Sequence, residues 1–444
     1  MTRPLSVRFV TAAAVVRAVS ATWQLTFCAL AMFLPYYNEL LLGLAMPGAV
    51  GYVVGLWCVQ RRQYPWFLWS ATAASAVTVA VTVAYLVCRI LPLYYAVVAL
   101  NLCTVGYTSV VAVERSHRTR RGRKVPYAIV CSVLVAIVFL LGVEGAYSNL
   151  YYHRTVMASM SALILRVVHR DDADVPAYFD TLLVQEEAPY SFPTDLFSQS
   201  VREDTLEGMP VYFVNEGHGD AVILYLHGGY YVNQASRMQL IAMRRLLDAT
   251  DVAMVMPVYP LAPYHSCADS FDAMVRLYAR LAEAYPDKRM ILLGDSAGGG
   301  YALAVAQTLA AEGHRCPDRL ILLSPWVDVT MTNGQIDYYR YEDPLLTKTM
   351  SIRSGLYWAG EWDARDPRVS PLYGSMAGLG DVSVFVGTNE MFYPDVMRMY
   401  DAMREADVRV NMYVGDSLNH VYPFYPTLEG RLAMDQIAAI VRAE

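Results

Sequence analysis

Two short glycine-containing segments constrain the fold of this chain more than any other feature. One reads His227-Gly228-Gly229, the other reads Gly294-Asp295-Ser296-Ala297-Gly298, and each follows an apolar run. The second has the pattern of a nucleophile elbow, a sharp strand-to-helix turn that lifts a serine Oγ above a sheet. Its flanking positions must be small because the strand and the helix approach closely there. The pattern predicts Ser296 as a nucleophile, supported by the motif residues His227, Gly294, Asp295 and Gly298.

The pairing of the two segments matters because a Gly-x-Ser-x-Gly pattern alone often occurs by chance. The first segment follows the strand-like run 221–226 and is typical of an oxyanion loop. The backbone N–H groups of such a loop bind the negative charge that develops on a carbonyl oxygen. The sequence predicts four backbone donors for this purpose: Gly228, Gly229, Tyr230 and Ala297.

A general base and an acid should follow the serine, in the order acid and then histidine. Only His314 and His420 lie beyond Ser296, and His314 falls in a polar turn that is typical of the surface. His420 follows a strand-like run and a short loop, so it is the predicted base. In this chemistry the serine attacks a carbonyl, the imidazole takes its proton, and a carboxylate orients the imidazole.

The predicted acid is Glu390, because it follows the strand-like run 382–386 in the loop Gly387-Thr388-Asn389-Glu390. Asp395, five residues later, is the runner-up. Asp366 and Asp416 are weaker candidates, since any single carboxylate can also be a solvated surface charge.

These residues and further blocks resemble the hormone-sensitive-lipase-like branch of the α/β-hydrolases, over about residues 205–444. The resemblance implies carboxylic-ester hydrolysis without a cofactor, a helical cap over the site, and the acid at Glu390. Two departures stand out. Tyr230 replaces a glycine or alanine, and its ring is expected to narrow the acyl or alcohol pocket. Glu390 replaces the more usual Asp. The blocks are Tyr225-Leu226-His227-Gly228-Gly229, Tyr259-Pro260-Leu261-Ala262-Pro263, Gly294-Asp295-Ser296-Ala297-Gly298-Gly299, Leu323-Ser324-Pro325-Trp326-Val327-Asp328, Val369-Ser370-Pro371-Leu372-Tyr373, Val386-Gly387-Thr388-Asn389-Glu390 and Asn419-His420-Val421-Tyr422-Pro423.

The alternation of strand-like and helical runs predicts the same α/β class, a mostly parallel, doubly wound sheet with helices on both faces. The catalytic loops then lie at the carboxyl ends of the strands. The predicted strands are 210–215, 221–226, 252–258, 289–293, 319–323, 382–386 and 408–414, and the predicted helices include 236–249, 267–285, 297–312 and 393–406.

The first third of the chain is almost continuously apolar and predicts an all-α transmembrane domain over residues 1–147. A span needs about 20 apolar residues. Five stretches qualify: 18–36, 40–60, 66–87, 91–113 and 126–146. Basic residues concentrate after the second and fourth stretches, and Lys and Arg favour the cytoplasmic side. This pattern predicts a cytoplasmic N-terminus and a catalytic domain on the extracytoplasmic side.

Residues 148–204 are predicted to connect this region to the catalytic domain, 205–444. Residues 151–168 have apolar positions spaced along one helix face, which suits a cap helix or a helix lying on the membrane surface. The stretch 186–204, with two prolines among polar residues, is predicted to be an irregular lid connection.

Charge and cysteine content exclude some partners. Residues 1–125 carry 12 of the 35 Lys and Arg but only 2 of the 41 acidic residues, so the catalytic part is acidic and unsuited to nucleic acid. No His or Cys cluster has metal-ligand spacing, and neither a metal nor another cofactor is expected. Cys267 and Cys316 are expected to be free thiols, although spacing alone does not exclude a disulfide.

Three functional classes fit these features. The first is a membrane-anchored serine carboxylesterase or lipase acting on small or lipophilic esters. The second is a membrane acyltransferase that passes the same acyl group to an alcohol. The third is a non-catalytic sensor in which the hydrolase domain binds a ligand, and the complete set Ser296, Glu390 and His420 disfavours it.

Overall fold

The computed structural model describes residues 154–168, 174–184 and 189–443. The chain divides into two compact units, and the second, Met160–Tyr425 with Glu429–Glu444, contains the sheet. Of the first unit only residues 154–159 and 426–428 are described. The five predicted spans and their orientation therefore lie outside the described residues. Within the described ranges, no helix combines the length and apolar composition that crossing a bilayer requires.

An eight-stranded sheet organises the second unit, and its strand order is β1-β2-β4-β3-β5-β6-β7-β8. The pairs β1–β2 and β2–β4 are antiparallel, and every other pair is parallel. The strands are β1 Val201–Leu206, β2 Met209–Val214, β3 Ala221–Leu226, β4 Ala253–Pro257, β5 Arg289–Asp295, β6 Arg319–Leu323, β7 Asp381–Asn389 and β8 Val410–Asn419.

The centre of the sheet is buried on both faces. All six side chains of β3 and all five of β4 are buried, whichever face they point to. Their sequences are continuous apolar runs, as expected for central parallel strands. The seven strands predicted from the sequence all occur in the structure, and the predicted mostly parallel α/β sheet is confirmed.

The first strand corrects the prediction for residues 186–204. Val201–Leu206 is not irregular, because it pairs with β2 as an antiparallel hairpin at the edge of the sheet. The two turn residues, Glu207 and Gly208, have φ of 50° and 80°, the positive values that a tight hairpin turn needs. Four of the six β1 side chains are exposed, so its sequence lacks the alternation that marks a half-buried strand.

The helices begin and end at residues that complete the hydrogen bonding of the terminal backbone groups or that adopt the conformation a helix end needs. Ser236 and Gln239 form a reciprocal capping box at the start of α3. Gly313, with φ of 74°, ends α5 in the left-handed conformation. The helices are α1 Val156–Val168, α2 Val175–Val184, α3 Arg237–Thr250, α4 Phe271–Ala284, α5 Ala297–Glu312, α6 Ile336–Tyr339, α7 Lys348–Ala359, α8 Tyr393–Glu405 and α9 Leu428–Arg442.

Helix α2, which the sequence analysis did not predict, packs its apolar side onto the segment after β3 and onto α7. Val175 and Phe179 are fully buried in a cluster with Val232, Ala262 and Met350. The Tyr178 hydroxyl donates to Asn233 Oδ1 at 3.0 Å, and the Tyr264 hydroxyl donates to the Leu182 carbonyl at 2.8 Å. Helix α2 therefore covers the segment that follows the His-Gly-Gly loop.

Candidate active site

Ser296 lies in a sharp turn between β5 and α5, where its φ and ψ are 53° and −122°. A non-glycine residue adopts such a conformation only when its surroundings hold it there. Its N–H donates to the Leu323 carbonyl of β6 at 2.8 Å, and its carbonyl accepts from Trp326 N–H at 2.8 Å. A Cβ on Gly298 would collide with the carbonyl oxygens of Leu226 and His227, which explains why this position is glycine.

The structure brings Ser296, His420 and Glu390 into one hydrogen-bonded chain. Ser296 Oγ lies 2.8 Å from His420 Nε2, and His420 Nδ1 lies 3.0 Å from Glu390 Oε2. The three residues are 8%, 2% and 0% exposed, respectively. Because a carboxylate only accepts, Nδ1–H donates to Glu390 and leaves Nε2 to accept from the serine hydroxyl.

The other candidate acids lie elsewhere. Asp395 is in the first turn of α8, where it accepts from Asn333 Nδ2 at 2.8 Å and from Arg398 at 3.0 Å. Asp366 pairs with Arg368, and the exposed Asp416 accepts from the Thr388 hydroxyl. The candidate base His314 is exposed and lies 3.2 Å from Glu312.

Buried negative charge surrounds the His420 imidazole. Burial alone lowers the pKa of His420, but the nearby carboxylates outweigh this effect and raise it above 6.5. The contributing groups are, in order, Glu390, Asp343 and Asp295. The imidazolium that forms when a base takes a proton is therefore stabilised by its surroundings.

The structure divides the four predicted oxyanion donors. The Gly228 N–H donates to Asp295 Oδ1 at 3.1 Å, so it is already engaged and is not in the donor set. Among the described residues, no acceptor engages the N–H of Gly229 or Ala297. Gly229, with φ of 136°, and Tyr230, with φ of 60°, form a loop in which successive residues have positive φ.

A buried network around Asp295 holds this loop against the serine turn. Besides Gly228 N–H, Asp295 accepts from the Tyr225 hydroxyl at 2.6 Å and from Gln239 Nε2 at 2.9 Å. Burial raises the pKa of Asp295, although these donors oppose the shift. The sequence analysis included Asp295 and Tyr225 only within motif blocks. It missed Gln239, because a polar residue in the first turn of a helix is also typical of a helix cap.

His227 supports the loop from behind. Its ring stacks on that of Tyr259, with 4.5 Å between centroids, and its Nδ1 lies 2.9 Å from the Gly228 carbonyl. Burial lowers the pKa of His227 to about 4. The ring is therefore neutral at ordinary pH, and its Nδ1–H donates to the carbonyl.

Tyr230 links the loop to helix α7. Its ring is half-buried and lies edge-on to Trp326 at 6.1 Å, while its hydroxyl accepts from the Thr347 N–H at 3.3 Å. Thr347 is the N-cap of α7. The side chain that replaces the family glycine thus packs between the oxyanion loop and α7.

Neither cysteine of the described residues takes part in this site. Cys267 and Cys316 are both free thiols, as expected. Burial raises the pKa of each thiol, so neither is an activated nucleophile.

Comparison with known proteins agrees with this architecture. A family model described as the alpha/beta hydrolase fold matches residues 223–424. An esterase of Acinetobacter venetianus is 32% identical over 199 residues, which are 44% of this chain and 65% of the relative. An acetyl-hydrolase of Streptomyces hygroscopicus is 31% identical over 227 residues, 50% of this chain and 75% of the relative.

A solved structure shares the fold over most of its own length. The crystal structure of EstE5, soaked with p-nitrophenyl butyrate, is 25% identical and superposes with a TM-score of 0.56. The match covers 64% of this chain and 97% of that one. The chain spans less than two thirds of the first relative's length, 65%, and three quarters of the second's. On the family match and the sequence identities, the chain belongs to the α/β-hydrolase-fold family.

Proposed function

We propose that the protein is a serine carboxylesterase or lipase that uses Ser296, His420 and Glu390 as its catalytic triad. The observation that carries the proposal is the pair of contacts at 2.8 and 3.0 Å that connect the serine hydroxyl through the imidazole to the buried glutamate. Relatives named esterase and acetyl-hydrolase support a carboxylic-ester substrate.

In the first half of the reaction, Ser296 Oγ attacks the ester carbonyl carbon while its proton passes to His420 Nε2. The carbonyl π electrons move onto oxygen, where the N–H groups of Gly229 and Ala297, with that of Tyr230, would hold the charge. Each such donor stabilises the transition state by about 3–4 kcal/mol. The intermediate then collapses, the C–O bond to the alcohol breaks, and the imidazolium returns its proton to the leaving alcohol.

In the second half, water attacks the acyl-enzyme carbonyl and gives its proton to His420. The second tetrahedral intermediate expels Ser296 Oγ, which takes that proton back, and the carboxylic acid leaves. Glu390 keeps the Nδ1–H tautomer throughout and stabilises the imidazolium without accepting its proton. No step requires a metal or an organic cofactor.

Replacing Ser296 tests this proposal. Ser296→Ala should lower hydrolysis of p-nitrophenyl acetate and butyrate by at least about 10⁴-fold and abolish labelling by a fluorophosphonate. The matched control is Ser383→Ala, which alters a buried serine at the opposite end of β7 from Glu390. A Ser296→Ala protein that keeps most of its activity would exclude this serine from the mechanism.

The packing of Tyr230 suggests how the substrate is limited. We propose that its ring shortens the acyl or alcohol pocket beside the oxyanion loop, because it fills the space between that loop and α7. Tyr230→Gly should then raise kcat/KM for p-nitrophenyl octanoate relative to acetate. An unchanged ratio would show that the ring does not shorten the acyl pocket.

We also propose that residues 1–147 anchor the enzyme in a membrane, with the catalytic domain on the extracytoplasmic side. Five apolar stretches of span length and two basic loops support this topology. Leu163 and Ile164 on α1 are 55% and 58% exposed, which suits a helix near a lipid surface. A C-terminal alkaline phosphatase fusion should be active and a green fluorescent protein fusion dark, whereas the reverse pattern would contradict the topology.

A further inference from the structure

We propose that Asp343 is a positioning residue of the catalytic site, a second buried carboxylate that fixes the Glu390 loop and supports positive charge on His420. The inference rests on the proposed triad, but it assigns a function to a residue outside it. No motif in the sequence marks Asp343, which lies between the exposed Glu342 and the buried Pro344 in the loop before α7.

The side chain of Asp343 joins two loops that are far apart in the chain. Its Oδ1 accepts from the N–H groups of Leu345 and Leu346, both at 2.8 Å. Its Oδ2 accepts from the N–H of Met391 at 2.9 Å, across 48 residues of sequence. Met391 directly follows Glu390, so this bond holds the backbone from which the triad acid extends.

The same loop also reaches the oxyanion side of the site. Leu346 precedes Thr347, whose N–H donates to the Tyr230 hydroxyl and whose side chain caps α7. One carboxylate thereby connects the segment before α7 to the Glu390 loop. A loose Glu390 loop would cost activity because a displacement of about 1 Å at a catalytic group can cost about a hundredfold in rate.

Asp343 makes no hydrogen bond to His420 among the described contacts, yet its charge acts on the imidazole. The charged groups that face His420 are Glu390 at the end of β7, Asp343, and Asp295 at the end of β5. The buried hydroxyl of Tyr425 also lies within electrostatic reach of Asp343 and Glu390. Burial raises the pKa of Asp343 to about 6, although three N–H donors and His420 oppose the shift, so the side chain is ionised at neutral pH.

A neutral variant of Asp343 distinguishes a structural role from an electrostatic one. If Asp343 only holds the Glu390 loop in place, its replacement would change kcat or stability but leave the pKa of His420 unchanged. Removing a negative charge near the imidazole must lower the pKa of His420, because the imidazolium loses a favourable interaction. The base would then stay neutral, and active, to lower pH.

The test is the pH profile of the Asp343→Asn enzyme with p-nitrophenyl butyrate. The acid limb of kcat/KM should move to lower pH by about 0.5 to 1 unit. At the plateau, kcat should fall about tenfold with KM changed less than twofold, since the substrate-binding surface is intact. A folded Asp343→Asn enzyme whose acid limb stays in place or moves to higher pH would overturn the proposal.

Asp328→Asn is the matched control. Asp328 is also buried and also accepts from a backbone N–H, that of Thr330 at 2.9 Å, but it is not among the carboxylates that face His420. The acid limb of kcat/KM for the Asp328→Asn enzyme should remain at the wild-type pH. If Asp343→Asn does not fold, the acid limb of kcat/KM is measured on Asp343→Ser instead, because its smaller neutral side chain keeps an acceptor oxygen. If turnover by the wild-type enzyme does not depend on Ser296, the proposed function is refuted instead.

Discussion

The nucleophile side and the acid side of the site are built in different ways. The nucleophile turn is one continuous piece of chain, the end of β5, Ser296 and the start of α5. The acid side draws Asp343, Glu390 and His420 from three separate loops. Met391, which follows Glu390, lies 48 residues after Asp343, and His420 lies 30 residues after Glu390. The first can be recognised as a local pattern, while the second exists only after the sheet has formed.

Sheet register connects the two sides. Asn389 of β7 pairs with Asn419 of β8 after an irregularity in the register, so the next residues, Glu390 and His420, leave the sheet side by side. On the other side, Asp295 pairs with Leu323, and the following Ser296 N–H donates to that same Leu323. Each functional residue thus comes one position after a strand ends.

The largest expected effect is on the acid side. Glu390→Gln should lower kcat by about 10⁴-fold, because an amide no longer selects the Nδ1–H tautomer or stabilises the imidazolium. Steady-state kinetics with p-nitrophenyl butyrate would measure the loss. Asp395→Asn, which changes an acid held by Asn333 and Arg398, serves as the control and should retain activity within about tenfold. The reverse ranking would assign the acid to Asp395.

On the nucleophile side, steric crowding should dominate. Gly298→Ala adds a Cβ that meets the carbonyl oxygens of Leu226 and His227, so we expect a loss of about 3 kcal/mol in the free energy of unfolding. Urea denaturation would measure it. Gly334→Ala is the control, because nothing lies within 4 Å of a Cβ at that position. Equal stability of the two variants would mean that strand and helix are not in close contact at the turn.

A smaller effect should follow from loosening the oxyanion loop. Asp295→Asn keeps the size of the side chain but replaces one acceptor oxygen with an NH₂ group, which only donates. The asparagine therefore cannot accept all three hydrogen bonds that Asp295 accepts from Tyr225, Gly228 and Gln239. We expect kcat to fall about 10- to 100-fold with little change in KM. If KM rises and kcat does not fall, the network serves substrate binding instead of the transition state.

The smallest effect is a displacement of the pH profile of the wild-type enzyme. Because neighbouring carboxylates raise the pKa of His420, half of kcat/KM should be lost at a pH above 6.5 as the solution is acidified. The sign follows because a protonated imidazole cannot accept the serine proton. His227, with a pKa of about 4, is neutral throughout this range and contributes nothing to the limb. An acid limb centred below 6.5 would contradict the electrostatic description.

Much of this site could be predicted wherever a backbone constraint acts on neighbouring residues. The small positions around Ser296, the apolar run of β3 and the order of acid and base each leave a contiguous trace in the sequence. The sequence favoured Glu390 but left Asp395 as the runner-up, since both follow β7 and lie five residues apart. The orientation of helix α8, which points Asp395 to Asn333 and Arg398, separates them.

The sequence by itself therefore determined the fold class, the order of acid and base along the chain and the turn that presents Ser296, because these depend on steric rules between near neighbours. Only the tertiary structure decided that Gly228 donates its N–H to Asp295, that Gln239 completes that network, and that Asp343 holds the Glu390 loop. It also decided that the polar stretch 201–206 is an edge strand. These are contacts between distant segments, and a buried polar group reveals its partner only once the chain has packed around it.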